Sequence, residues 1–256
     1  MIRIHTSDWK EAPKPAATDH LQIAIGDIHG RSDLLEPLME ALAKDCKHPG
    51  IDRVSCMFLG DLIDRGPDSL GVLGLVAGGL AAFVERGPEI EDIRILGNHD
   101  IWLRDALTGH LDSDGFEAWE ANMGYETWAS LGVHPAMEFG SALRERLPYF
   151  VQEAILTMTP MHQIGDYVYV HAGIDPRKPL ELQEEATLTW IREAFLNPKE
   201  WPFDVFVVHG HTPEHPYEEP TVTKHRINLD TGAVYTGVLS AVEIRNDQYR
   251  FVQVIG

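Results

Sequence analysis

Apolar and polar positions alternate in blocks along the chain. Leu21–Ile25 (LQIAI) is a short apolar run that stops at Gly26-Asp27 and predicts a buried strand. Ser32 or Asp33 then caps a stretch with apolar residues at helical spacing, DLLEPLMEALAKDC, in which Pro37 is tolerable only near the first turn. Arg53–Leu59 predicts a second strand ending in Gly60-Asp61, followed by a helix over Ser69–Ala77 that Gly78-Gly79 stops. Ile93–Leu96 predicts a third strand ending in Gly97-Asn98-His99, with a third helix from about Asp100. Tyr167–Val170 runs into His171-Ala-Gly, and Val205–Val208 into His209-Gly-His211. At the C-terminal end, Ile227–Leu229, Val238–Ile244 and Tyr249–Val254 read as antiparallel strands turning at Asn246-Asp247.

Strand, polar loop and helix thus repeat three times at about 35 residues, the size of one βαβ unit. Five strands end in glycine together with Asp, Asn or His. Ligands of α/β sheets bind beyond the carboxyl ends of strands, so these distant clusters are expected to converge on one edge. Residues 1–19, polar and Pro/Ala-rich, read as a loosely held tail, although Trp9 has the means to dock. Residues 20–256 read as one domain, with a mainly helical insertion at about 108–162. Trp119, Tyr125 and Trp128 are expected in the core of that insertion, and His225, next to Arg226, is a further candidate for facing the cleft.

The 256 residues carry a formal net charge of −19, which opposes a nucleic-acid partner. An acidic chain acting on phosphates needs a local reversal of sign, and bound divalent cations held by some of those acids supply one. No apolar run reaches the roughly 20 residues of a membrane span, and the N-terminus lacks the apolar segment of a secretory signal. The cytoplasm is therefore the default compartment; length and composition allow a monomer. Two cysteines, Cys46 and Cys56, are too few for a disulfide framework and form no Cys-x-x-Cys metal site, and neither lies in a Cys-x5-Arg phosphate loop, which argues against thiol-phosphatase chemistry.

The side chains of the clusters are carboxylate, imidazole and amide, a mixed oxygen and nitrogen set suited to Mn²⁺, Fe²⁺ or Zn²⁺. There are more of them than one ion needs, and Asp61 lies between the sets, where its two oxygens could bridge a pair of ions. Taken in order, GDIHG at 26–30, GDLIDRG at 60–66, GNHD at 97–100, HAG at 171–173 and HGHT at 209–212 resemble the PPP serine/threonine phosphoprotein phosphatases of the calcineurin-like metallophosphoesterase superfamily. They are nearest in style to the short bacterial and bacteriophage lambda-type members, over residues 21 to about 245.

The resemblance implies an α/β fold, a sandwich of two mixed sheets flanked by helices, with the metal site at the C-terminal strand ends. It implies two divalent ions, manganese first with iron or zinc as alternatives. Asp27, His29 and Asp61 would hold one ion; Asp61, Asn98, His171 and His211 would hold the other. His99 would be the general acid, held by Asp64, while Arg65, Arg192 and Asn98 would bind phosphate, with Arg192 carried on a helix. His209 is expected only to support. The implied reaction is hydrolysis of phosphomonoesters, phosphoserine and phosphothreonine in proteins and also phosphotyrosine, by direct attack of a metal-bridging hydroxide. GNHD in place of GNHE shifts weight toward the diadenosine tetraphosphatases and small phosphoanhydrides. Asp64 in GDLIDRG, and HGHT, weigh the other way, because the tetraphosphatases resemble GDLxARG and FGHW. A non-catalytic metal- or phosphate-binding module would require the loss of a ligand or of the acid, and none is lost. A nuclease is opposed by the acidic charge and by Pro213.

Overall fold

A computed structural model describes residues 1–17, 19–134 and 138–256, so Thr18 of the expected tail and residues 135–137 of the expected insertion lie outside the described residues. In chain order, β1 (Arg3–Thr6) and β2 (Lys10–Glu11) precede β3 (His20–Ile25), α1 (Ser32–Asp45), β4 (Arg53–Phe58), α2 (Ser69–Gly78), β5 (Glu89–Arg94) and α3 (Asn98–Thr108). The insertion holds α4 (Ser113–Ala121), α5 (Gly124–Leu131), α6 (Phe139–Arg146) and α7 (Tyr149–Leu156). Next come β6 (Met161–Ile164), β7 (Tyr167–Val170), α8 (Glu185–Trp190), α9 (Glu193–Leu196) and β8 (Phe206–His209). β9 (Thr221–Val222), β10 (Arg226–Asn228), α10 (Ala233–Thr236), β11 (Val238–Arg245) and β12 (Gln248–Ile255) follow.

The strands make two mixed sheets with helices on their outer faces, the α/β sandwich that was expected. One sheet runs β1-β12-β11-β3-β4-β5, with β2 also paired to β12; the other runs β6-β7-β8-β10-β9. β3, β4 and β5 are parallel, as are β7, β8 and β10. Central parallel strands are covered on both faces, which is why LQIAI and YVYV are continuously apolar rather than alternating with charge. Successive side chains still point opposite ways. Leu21, Ile23 and Ile25 pack with Leu34 and Leu38 of α1, while Ala24 and Met57 join Tyr169 and Val208 between the sheets. Val168 and Val170 face outward onto Leu188 and Phe195. Fully burying each large apolar side chain contributes roughly 1.5–3 kcal/mol, so the layer between the sheets holds the two halves together.

Three expectations change. The tail is not loose: β1 and β2 pair antiparallel with β12, and Trp9 lies over the Arg250 guanidinium at 4.5 Å. Backbone pairing along an edge needs no apolar side chains, so RIHT, exposed at every position, carries no strand signature. β10 does not join the C-terminal hairpin. It runs parallel to β8 in the second sheet, because periodicity reports burial and not the identity of the neighbour. The third strand begins earlier than expected, at Glu89, since the edge strand β5 is polar on its open face.

Two buried polar contacts give tests. Tyr169 donates its hydroxyl to Gln22 Oε1 at 2.6 Å, joining β7 to β3 across the layer. Tyr169→Phe leaves that amide oxygen unpaired and is expected to destabilise the fold by about 1–3 kcal/mol in urea titrations. Glu243 of β11 is fully buried against Arg250, with Asp45 of α1 on the same guanidinium. Burial first, then repulsion from Asp45, pushes its carboxyl from 4.5 up to about 7. The folded state therefore binds a proton that the unfolded chain has released, so stability falls as pH rises from 4.5 through about 7 and levels above it. Glu243→Gln is expected to remove this fall, and its advantage over wild type in melting temperature should grow across that range and then stay constant.

Candidate metal centre and phosphate site

Each expected ligand follows the carboxyl end of a strand. Asp27 follows β3, Asp61 follows β4, Asn98 opens α3 after β5, His171 follows β7, and His211 follows β8. All five and His29 are buried. His29, Asp61, Asp64, Arg65 and His211 have φ between 46° and 70°, the left-handed region that non-glycine residues avoid. Glycine permits the closest approach: a side chain at Gly210 would collide with Asp27 Oδ1.

Asp61 stands between two groups. Its Oδ2 lies 3.4 Å from His29 Nε2, and its Oδ1 lies 3.3 Å from His171 Nε2. The donor atoms of His29, Asp61 and His99 all lie within 4.8 Å of one another, as do those of Asp61, His171 and His211. Asn98 Oδ1 is 3.0 Å from His171 Nε2, and both oxygens of Asp27 accept the His211 backbone N–H at 3.1 Å. The six expected ligands thus share one site. His99, expected as a proton donor, also joins the first group.

The arrangement fits divalent cations because the converging acceptors outnumber the protons that reach them. His29 donates Nδ1–H to Ile63 O and His171 donates Nδ1–H to Leu59 O, both at 2.8 Å, so their Nε2 atoms carry lone pairs. Around His171 Nε2 stand Asn98 Oδ1, Asp61 Oδ1 and, at 3.1 Å, His211 Nδ1. His211 Nε2 is buried without a partner among the described residues. Whichever ring nitrogen of His211 is protonated, one group stays unsatisfied. Burial drives the pKa of His29 down to about 3 and that of His211 to about 2, and lowers His171, so these rings are in the neutral form that ligates. Burial, together with mutual repulsion, raises Asp27 and takes Asp230 up to about 7.

Arg65 spans the site, donating from Nη1 to His29 Nε2 at 2.6 Å and from Nη2 to His99 Nε2 at 2.8 Å. His99 Nδ1 lies 2.6 Å from Asp64 Oδ2, and both residues are fully buried. Arg192 is not on a helix. It is the exposed N-cap of α9, after α8 has ended, and its charge reaches His211 and Asp230. His209 is buried beside Arg226 and so supports the strand end. His225 stacks on Trp201 at 4.4 Å instead of facing the cleft.

Other residues escaped sequence reasoning. Asp100 accepts from the backbone N–H groups of Asp61, Leu62 and Gly97, tying one strand end to the next; the short Asp in GNHD was its signal. Trp102 meets the His99 ring edge-on at 5.1 Å, and the half-exposed Trp190 lies 5.9 Å from His211. Trp119 and Trp128 are buried as expected, but Tyr125 is exposed. Trp119 and Thr127 also reach Asp64.

Residues 23–237 match the calcineurin-like phosphoesterase family. The chain is similar to the bis(5'-nucleosyl)-tetraphosphatase PrpE [asymmetrical] of Oceanobacillus iheyensis, 26% identical over 88% of this chain and 89% of that one. A solved structure provisionally assigned as a diadenosine tetraphosphatase aligns with a TM-score of 0.61 and 23% identity, over 94% of this chain and 96% of that one. A cold-active protein-tyrosine phosphatase of Shewanella aligns with a TM-score of 0.57 and 16% identity, over 93% of this chain and 81% of that one. The expected likeness to PPP serine/threonine phosphatases therefore holds at the level of the wider superfamily, since none of these three carries that name. The chain belongs to the calcineurin-like phosphoesterases and is a metal-dependent hydrolase.

Proposed function

We propose that this enzyme hydrolyses small phosphoanhydrides of the dinucleoside polyphosphate class. The observation that carries the reading is the likeness, along nearly the whole chain, to a tetraphosphatase, combined with a cage of proton-poor ligands beside two arginines. Asp27, His29 and Asp61 would hold one divalent ion, and Asp61, Asn98, His171 and His211 a second, manganese being the first choice. When bound, such ions polarise phosphoryl oxygens and activate water. Arg65 leaves the ring nitrogens of His29 and His99 and, with Arg192 and the Asn98 amide, clamps the phosphate. With Arg65 gone from its Nε2 and its Nδ1–H anchored on Asp64, His99 as the imidazolium gives its Nε2 proton to the leaving oxygen and is left neutral. The half-exposed ring of Trp190 offers a flat apolar face next to the site for a nucleobase.

One contact favours a second activity on phosphomonoesters, including phosphopeptides. A nucleotide departs without much help from an acid, whereas an alkoxide does not, and the 2.6 Å His99–Asp64 pair is built for the harder case.

Phosphate release from diadenosine tetraphosphate, phosphoserine peptides and aryl phosphates tests the ranking. The dinucleotide is expected to give the highest kcat/KM; a phosphopeptide turned over faster would replace the first reading with the second. Asp61→Asn is expected to weaken both ions together, lowering bound metal in elemental analysis and turnover by at least about a hundredfold. Retention of two tightly held ions would show that Asp61 bridges nothing.

A further inference from the structure

The insertion reaches the residue that holds His99. Trp119 of α4 and Thr127 of α5 are fully buried, like Asp64. The indole Nε1–H of Trp119 is 2.9 Å from both Asp64 oxygens, and Thr127 Oγ1 donates to Oδ1 at 2.5 Å. The same Thr127 oxygen accepts the Asp64 backbone N–H at 2.9 Å and pairs with Ser69 Oγ at 2.9 Å. Oδ2 takes the His99 Nδ1–H. A carboxylate with donors on one oxygen alone can swing about its terminal torsion, which is broad and shallow. Donors on both oxygens, from α3, α4 and α5 together, leave one orientation.

We infer that Trp119 and Thr127 are positioning residues: they lock the Asp64 carboxylate so that it aims His99 Nε2 at the departing oxygen. The insertion is thereby part of the proton-delivery apparatus. This rests on the role of His99 proposed above. Packing alone explains a tryptophan here, because Trp119 meets Trp128 and Phe139 edge to face. Packing does not explain a hydroxyl at 127 that both donates to and accepts from the same aspartate.

The test uses manganese-loaded enzyme and aryl phosphates whose leaving phenols run from 2,4-dinitrophenol to phenol, since only the poorer leaving group needs protonation. Thr127→Val is expected to lower turnover of phenyl phosphate about tenfold and of 2,4-dinitrophenyl phosphate less than about twofold, with bound metal unchanged. Trp119→Phe should show the same selectivity, and Thr127→Ser should restore the wild-type ratio. In metal-free protein, the low-field NMR signal expected of the His99 Nδ1 proton should broaden or move upfield in Thr127→Val and return in Thr127→Ser. Equal losses on both substrates, or none on either, overturn the positioning role. His99→Asn, measured alongside, separates the two levels. If it is blind to the leaving group, the proton-donor assignment fails and this inference falls with it. If it discriminates while the Thr127 and Trp119 variants do not, the inference alone falls.

Discussion

Carboxylates and imidazoles packed together beyond the reach of water, with too few protons to share, set the terms for the rest of the molecule. Asp27, Asp61 and Asp230 repel one another, and the lone pairs of His171, Asn98 and Asp61 face inward on a single point. An isolated buried charge of this kind would be neutralised or would drag water in after it. The groups stay together because each hangs from the end of a strand whose remaining residues lie in a dry apolar layer. The frustration is local and the scaffold that tolerates it is extensive, which is how a fold keeps a cation site in readiness.

The same balance explains the backbone. Left-handed conformations at His29, Asp61, Asp64, Arg65 and His211 turn side chains inward that a regular strand end would point past one another. Each such residue costs on the order of 1–3 kcal/mol and persists only where its surroundings over-determine it. Asp100 is one of those surroundings: with three backbone amides on one carboxylate, it secures the Asp61 turn to the start of α3. The acidity of the chain thus has several uses, with some acids as candidate ligands and others as internal fasteners.

Much of this was legible from the letters alone. Parallel strands covered on both faces announce themselves as apolar runs, and glycine next to Asp, Asn or His marks where such runs stop, so the convergence of Asp27, Asp61, Asn98, His171 and His211 could be anticipated. What could not be read depends on partners rather than on periods. The exposed Arg3–Thr6 becomes a strand only because β12 offers an open edge. Ile227 is apolar whichever sheet it joins. Arg192 leaves α8 because the helix ends at Trp190, and Trp119 reads as a core tryptophan until the aspartate beneath its N–H is located. Substrate preference was the finest distinction and the least visible, since the tetraphosphatase and protein-phosphatase motifs differ by a few letters around a shared cage.

Asp27, Asp61 and Asn98 ride on one sheet, while His171 and His211 ride on the other. The centre therefore measures the alignment of two slabs that are each hydrogen-bonded internally and touch mainly through greasy side chains. A slip on the order of an ångström along that contact would spare every ladder yet part His171 from Asp61. Under gentle warming or dilute denaturant, the chemistry would fade while circular dichroism still recorded intact strands and helices, so the cage acts as the protein's own strain gauge.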